Sequence, residues 1–342
     1  MSGRVLIYRP GSLGDTVVAL PCLKLIRKTF PDAELKVLTN APVANSAPPV
    51  AAVLEGMGLA DSYLEYPVPL DRLSTAWRVA RAIRRWRPDR MIYLARRERP
   101  GQVRRDVAFF RACGIRNITG LPLTRDLLKN RQRADGMFER EAERLARTMA
   151  PLGAIDLSDS AVWDLGLTDA ERTLPRRLIA ERVGALPFIA VSIGTKQAPN
   201  DWGIDNWRAV VGHLSRTYPH EIVFIGAEGD RVPSDAVTQG LGDRAVNLCG
   251  RLTVRESAAL IAAASLFVGH DSGPMHLAAA VGTPSVAVFS SLWVPGIWFP
   301  MGSRAAVLYP SKGTQSITSA SVLDAVQALL PAGATRKLAG EP

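Results

Sequence analysis

The chain has 342 residues, 47% of them apolar and 22% charged, with a formal net charge of +10; that is enough apolar material for two globular domains of ordinary size. Its three cysteines (Cys22, Cys113 and Cys249) are odd in number and include no Cys-x-x-Cys pair, which argues against a disulfide framework or a zinc site and fits a reducing cytoplasm. No apolar run reaches the roughly 18 residues that span a bilayer, and Arg9 and Asp15 interrupt the first apolar stretch too early for a signal peptide.

Strand-like runs alternate with helix-length amphipathic segments, the pattern of parallel α/β architecture. The first unit reads as a strand over 5–10, a helix from Asp15 to Phe30 stopped by Pro31 and Asp32, and a strand over 34–40. A helix over 73–87, a strand over 90–96 and helices over 105–115 and 138–150 follow. Periodicity weakens between Ala154 and Leu186, and the domain boundary is placed there, giving domains 1–165 and 166–342. A second series then runs as strand 188–194, helix 204–217, strand 221–227, strand 245–250, helix 253–264, strand 265–270, helix Gly273–Val281, strand 284–290 and a closing helix 319–330. Two doubly wound domains bind ligands at their strand C-termini, so a cleft between them is the expected site.

Four segments carry candidate chemistry. RPGSLGDTVVALP (9–21) follows the first strand; Gly11 and Gly14 allow a tight turn, and Asp15 opens the next helix. A carboxylate there is also an ordinary helix-start charge, and the loop lacks a full G-x-G-x-x-G dinucleotide pattern. GHDSGPMHLAAAVGTP (269–284) sets Asp271, Ser272, Gly273 and His276 around a strand end and a helix start, where free N–H groups favour phosphate; the plainer reading is a capped core helix with His276 packed beneath it. In the loop 192–207, Thr195 and Lys196 lie just past a strand end, placing a cation for phosphate or merely a surface lysine. Glu228, beyond another strand, suits a ribose diol or bulk solvent equally.

Taken together, SLGDTVVALPCLKLIRKTFPDAELKVLTN (12–40) and VGHDSGPMHLAAAVGTPSVAVF (268–289) resemble the opening segment and the donor-site signature of glycosyltransferase family nine, the lipopolysaccharide heptosyltransferase family. The resemblance implies a GT-B fold of two Rossmann-like domains about a central cleft, with acceptors on the N-terminal half and nucleotide sugars on the C-terminal half. By position it implies Asp15 as catalytic base, and Thr195, Glu228, Asp271, Ser272, Gly273 and His276 as donor contacts. One departure stands out. Trp202 matches the Trp of the family's K-x-W-P, but Asn200 takes the Lys place and Gly203 the Pro place, so Lys196 is expected to supply the missing charge.

The implied reaction is inverting transfer of a heptose from ADP-heptose to an acceptor hydroxyl, with no cofactor. The lack of any Asp-x-Asp triplet suits a metal-independent site. A non-catalytic nucleotide-sugar-binding protein on the same fold is the alternative, and it would have no use for Asp15. Residues 1–165 hold 27 Lys and Arg against 18 Asp and Glu. Arg81, Arg84, Arg85, Arg96, Arg97, Arg99, Arg104 and Arg105 crowd one stretch. Arg suits phosphate and carboxylate, so an anionic glycan or glycolipid acceptor is expected, with Arg96, Arg97 and Arg99 as its contacts and the cytoplasmic face of the inner membrane as a peripheral partner. A solvated basic surface is the bland reading of the same residues. Aromatic residues are not interleaved with the basic run in the manner of a nucleic-acid site, and none is expected.

Overall fold

The computed structural model describes residues 3–42, 48–67, 73–183, 187–195, 198–302, 304–310 and 312–330. The chain divides into two compact units, Met1–Gly166 and Leu167–Pro342. The first contains β1 (Arg4–Tyr8), α1 (Leu13–Val18), α2 (Leu20–Thr29), β2 (Glu34–Asn40), α3 (Ala51–Leu54), β3 (Ser62–Tyr66), α4 (Leu73–Trp86), β4 (Arg90–Tyr93), α5 (Pro100–Ala112), β5 (Ile118–Thr119), α6 (Arg125–Leu128) and α7 (Glu141–Thr148). Its sheet is parallel, in the order β3-β2-β1-β4-β5. Val79 and Ile83 of α4 and Phe110 of α5 pack on Leu6, Tyr8, Met91 and Tyr93 of the sheet.

The second unit contains α8 (Asp169–Val183), β6 (Phe188–Ser192), α9 (Ile204–Thr217), β7 (Glu221–Phe224), α10 (Arg231–Thr238), β8 (Ala245–Asn247), α11 (Val254–Ala263), β9 (Leu266–His270), α12 (Gly273–Ala280), β10 (Ser285–Val288), β11 (Ala305–Leu308) and α13 (Ser319–Leu329). Its parallel sheet runs β11-β10-β9-β6-β7-β8. Renumbered from its first strand this is 3-2-1-4-5-6, the dinucleotide-fold order. Every residue of β6, β7, β9 and β10 is buried, as a parallel sheet covered on both faces requires.

The strand order reverses between β1 and β4 in the first unit and between β6 and β9 in the second. Ligands of open α/β sheets bind at such points, beyond the strand C-termini. The loops that start at Arg9, Leu94, Ile193 and Asp271 are therefore the ones to inspect.

Several elements differ from the sequence expectation. The helix expected over 15–30 is two helices that meet at Ala19, because Pro21 has no N–H to continue the hydrogen-bond ladder. The helix expected from Arg105 already begins at Pro100, which occupies the first helical position where a missing N–H costs nothing. The weakly periodic stretch 154–186 holds a fifteen-residue helix, α8, despite Pro175 inside it. Gly14 is a buried residue of the first turn of α1; only Gly11 of the pair has a positive φ, +151°.

Candidate active site

In the first unit the chain leaves β1 as Arg9, whose N–H still pairs with Leu38 O at 3.0 Å. Gly11 N–H donates to Asn40 Oδ1 at 2.6 Å, tying the loop to the end of β2. A Cβ on Gly11 would stand 2.5 Å from that of Asp15, so only glycine fits there. Asp15, in the first turn of α1, accepts on Oδ2 from the backbone and hydroxyl of Ser12 at 2.8 and 2.9 Å. Its Oδ1 lies 3.6 Å from Arg9 Nη2, and the side chain is 27% exposed. One carboxylate oxygen thus fixes the orientation while the side chain still reaches solvent. The hydrogen bonds from Ser12 are those of an ordinary helix start.

Arg9 is only 1% exposed. Its Nη1 donates to Pro10 O at 3.0 Å and Leu94 O at 3.3 Å, and its Nη2 to Asp15 O; its Nε is buried without a partner among the described residues. Nearby, Arg96 Nη1 donates to Glu141 Oε2 at 2.5 Å and Asn130 Oδ1 at 2.8 Å. Arg144 grips Glu141 through both carboxylate oxygens at 2.6 and 2.9 Å. Burial alone would raise the Glu141 carboxyl, but hydrogen bonding and charge from Arg144, with Arg96 and Arg9, hold it below its ordinary value.

The three arginines expected at an acceptor fall into different environments. Arg97 donates to Asp106 Oδ2 at 2.7 Å and Tyr8 Oη at 2.6 Å and lies over the Tyr8 ring. Tyr93 Oη donates to the same Asp106 oxygen at 2.8 Å. Arg97 is therefore part of the core. Arg96 is committed to Glu141, Asn130 and Glu98. Arg99 is exposed at the start of α5.

In the second unit, the start of α12 is bare of side-chain caps. Ser272 occupies the N-cap position, but its hydroxyl turns back to His270 O at 3.3 Å and no side chain among the described residues caps the helix. The capping expected of Asp271 and Ser272 is thus not made, and first-turn N–H groups remain for an anion. Asp271 N–H pairs with Val288 O at 3.0 Å, and burial pushes its carboxyl up to about 7. His276 is buried in α12 with its ring edge-on to Trp298.

His270, absent from the sequence candidates, links the two loops of the switch point. Its Nδ1 lies 2.9 Å from Ile193 O, and its Nε2 accepts from Trp202 N–H at 3.1 Å. One donor and one acceptor nitrogen describe a neutral ring, and burial holds it down to about 4. Trp202 and Trp207 pack edge-to-face at 4.9 Å, Trp207 does the same with His270 at 5.0 Å, and Trp202 Nε1 donates to Ile317 O at 2.8 Å. Asn200 is buried with its Oδ1 unpartnered among the described residues. Thr195 ends the described part of this loop, and Lys196 lies outside the described residues.

Glu228 opens a short 3-10 turn after β7 and pairs with Arg231 at 2.9 Å from an exposed position. Asp230, also missed in the sequence, accepts from Ala227 N–H at 2.8 Å and lies where a side chain on Gly194 or Gly226 would stand. Burial raises its carboxyl. Among the described residues no three His, Cys, Asp or Glu side chains gather as a metal ligand set, and no helix is long and apolar enough to cross a membrane.

The profile of glycosyltransferase family 9 (heptosyltransferase) matches residues 100–318. The chain is 26% identical over 205 residues to lipopolysaccharide heptosyltransferase 3 of Escherichia coli (strain K12), covering 55% of this chain and 59% of that one. It spans about half the length of the curated relatives it matches. A glycosyl transferase family 9 structure from Veillonella parvula DSM 2008 superposes with a TM-score of 0.73 at 19% identity, over 96% of this chain and 98% of that one. The E. coli heptosyltransferase WaaC with ADP gives 0.66 at 19% identity, over 95% and 99%. The fold is that of the GT-B glycosyltransferases, two Rossmann-like α/β domains.

Proposed function

Because the chain belongs to glycosyltransferase family 9, we propose that it transfers a heptose from ADP-heptose to a hydroxyl of a lipopolysaccharide-type acceptor, with inversion at the anomeric carbon. The observation that carries this reading is the uncapped start of α12 at the reversal between β6 and β9, a place for the donor diphosphate. Similar E. coli structures hold ADP and an ADP-2-deoxy-2-fluoro heptose.

In this reading Asp15 takes the proton of the acceptor hydroxyl as that oxygen forms its bond to the anomeric carbon. The bond from that carbon to the diphosphate breaks, and the departing ADP keeps the electron pair. Backbone N–H groups near Gly273, the Ser272 hydroxyl, Thr195 and Lys196 stabilise the diphosphate. Glu228 takes the ribose hydroxyls, and Asp271 and His276 border the sugar and phosphate. Of the three arginines, Arg99 is the one left exposed to meet the acceptor, while Arg96 is held by Glu141 and Asn130 and Arg97 by Asp106 and Tyr8.

The test is release of nucleoside diphosphate by the pure protein, with a lipopolysaccharide core acceptor and a panel of ADP- and UDP-sugars. ADP release from ADP-heptose alone is the expected result. ADP-heptose bound without release would favour a non-catalytic binder. Within this reading, Lys196→Ala weakens donor use far more than Asn200→Ala; the reverse order would mean that the charge is supplied elsewhere.

A further inference from the structure

Most of the arginines that crowd residues 78–111 are exposed on two neighbouring helices. Arg78, Arg81, Arg84 and Arg85 are exposed on α4 and Arg104 and Arg111 on α5. The two helices are neighbours: the Arg84 guanidinium donates to Ala112 O at 2.7 Å. No acidic residue occurs on α4, and the one on α5, Asp106, is buried against Arg97. Asp106 also meets the exposed Arg105 at 3.2 Å, but no acidic residue of either helix is itself exposed, so the outer face is strongly basic.

The same face carries two of the molecule's large exposed apolar side chains. Leu73 is 88% and Trp77 60% exposed. They are one turn apart at the start of α4, and Arg81 continues the line, its guanidinium 5.4 Å from the Trp77 ring. Val79, Ala80 and Ile83 occupy the opposite, buried side. The helix thus has an apolar inner face and an outer face that is apolar at one end and cationic along the rest.

We propose that the outer face of α4 and α5 docks on an anionic phospholipid bilayer. Leu73 and Trp77 enter the headgroup region, where amphipathic indole rings are favoured, and the arginines meet lipid phosphates. Single-stranded nucleic acid fits the face less well, because its binders line a groove with several stacking aromatics and here the one exposed ring is already covered by Arg81. The orientation is useful. A helix that follows a parallel strand begins at that strand's C-terminal end, so the apolar end of α4 lies toward the edge of the sheet that carries the Asp15 loop. Docking there holds that edge near acceptors borne on lipid. The inference does not depend on which sugar or nucleotide is used.

The experiment is flotation of the full chain, without donor or acceptor, on vesicles of phosphatidylcholine alone or with about 30% phosphatidylglycerol. Binding is expected only to the anionic vesicles, and to be lost as the Debye length shrinks from about 10 Å at 0.1 M salt to about 3 Å at 1 M. Arg81→Glu with Arg85→Glu should lower the partition coefficient at least about 30-fold, and Leu73→Ser with Trp77→Ser should lower it in a way that low salt does not restore. Arg81→Lys with Arg85→Lys keeps the charge and should keep binding, which separates docking from misfolding. Arg216→Glu with Arg251→Glu, exposed positions of the second unit, changes net charge equally and should leave binding intact. Absence of binding to anionic vesicles, equal loss in the two charge-reversal pairs, or displacement of the protein from vesicles by poly-uridine RNA at equal phosphate would each overturn the assignment.

Discussion

At the end of β1, Arg9, Asp15, Arg96, Glu141 and Arg144 crowd five ionised groups into a small volume, three of them nearly inaccessible to water. At the end of β9 the side chains next to the start of α12 are His270, Asp271, Ser272 and His276. Of these, His270 is held neutral, and Asp271 is held near the midpoint of its titration at neutral pH. Both places are the reversal point of a parallel sheet, so topology does not set the difference. At one strand end the guanidiniums of Arg9, Arg96 and Arg144 stand among the carboxylates of Asp15 and Glu141. At the other, burial weakens the acidity of the one carboxyl beside the helix start, and no side chain caps that start among the described residues, which is what the proposed diphosphate site needs. The same scaffold is thus furnished for opposite electrostatic tasks.

The strongest way to break this comparison is to remove the charge of Asp15 alone. Asp15→Asn should lower turnover by about a hundredfold or more, while ADP binding, followed by calorimetry, stays within about twofold of wild type. The amide still accepts from Ser12, so α1 stays capped. Turnover near wild type would mean that Asp15 only caps the helix.

Next in size is the core ion pair of the first unit. Arg97→Ala leaves Asp106 buried without its main cation, and breaking such a pair costs about 3–5 kcal/mol. Denaturant unfolding should show that loss, and Asp106→Asn should recover part of it in the double variant. A loss within about 0.5 kcal/mol, the usual range for surface changes, would return Arg97 to the acceptor.

In the second unit, His270→Ala strips partners from Trp202 N–H and Ile193 O, at about 1–3 kcal/mol for each buried group left unsatisfied. The loop that begins at Ile193 should loosen, so the donor KM should rise about tenfold with a smaller change in kcat. An unchanged donor KM would detach this linkage from the donor site.

Much of this arrangement was legible before any coordinates. β2, α9 and the β9–α12 block show in the sequence because their apolar periods are clean and their ends are marked by Pro, Gly or Asp. β3 and β11 were missed as edge strands, mostly half-exposed, whose residues do not alternate. α8 was hidden by Pro175 and by charge around its whole circumference. The motif residues Asp15, Ser272 and Gly273 were readable, but their partners were not. Asn40 reaches Gly11 across 29 positions and His270 reaches Trp202 across 68, and no local pattern encodes such pairs. Arg9 was read only as an interruption of an apolar run. A buried arginine at a strand end is a signal only once its acceptors are known.

The two titratable groups beside α12 sharpen the comparison with opposite signs. Asp271 is raised from its ordinary 3.8 to about 7, so folding favours its protonated form. The stability it contributes is complete below 3.8 and is lost as pH rises through 7. His270 is lowered from 6.5 to about 4, so its contribution is complete above 6.5 and is lost as pH falls through 4. The Tm advantage of Asp271→Asn over wild type should therefore be absent near pH 3.5, grow steadily between pH 4 and 7 to several degrees, and level off above 7. ADP-heptose, whose diphosphate does not titrate there, should bind wild type more tightly at pH 6 than at pH 8 and bind the variant equally at both. A pH-independent difference in Tm would place the Asp271 carboxyl in contact with solvent.

The smallest expected effect is at Arg99, and it discriminates between the buried and exposed arginines of one stretch. Arg97 is tied to Asp106 and Tyr8, whereas the Arg99 side chain is exposed beside the start of α5. An exposed guanidinium contributes little to folding, about 0–1 kcal/mol even when paired, so Arg99→Ala should leave the unfolding midpoint unchanged. If it meets an anionic acceptor, the acceptor KM should rise about two- to fivefold at low ionic strength, since a solvent-exposed charge pair is worth about 1 kcal/mol or less. The effect should vanish in high salt, where screening removes the attraction in wild type as well. Arg99→Lys keeps the charge but not the planar fork, so partial recovery points to charge and none to bidentate geometry. A KM that is the same in all three proteins at low salt would leave Arg99 as a surface residue and move the acceptor contacts elsewhere in the first unit.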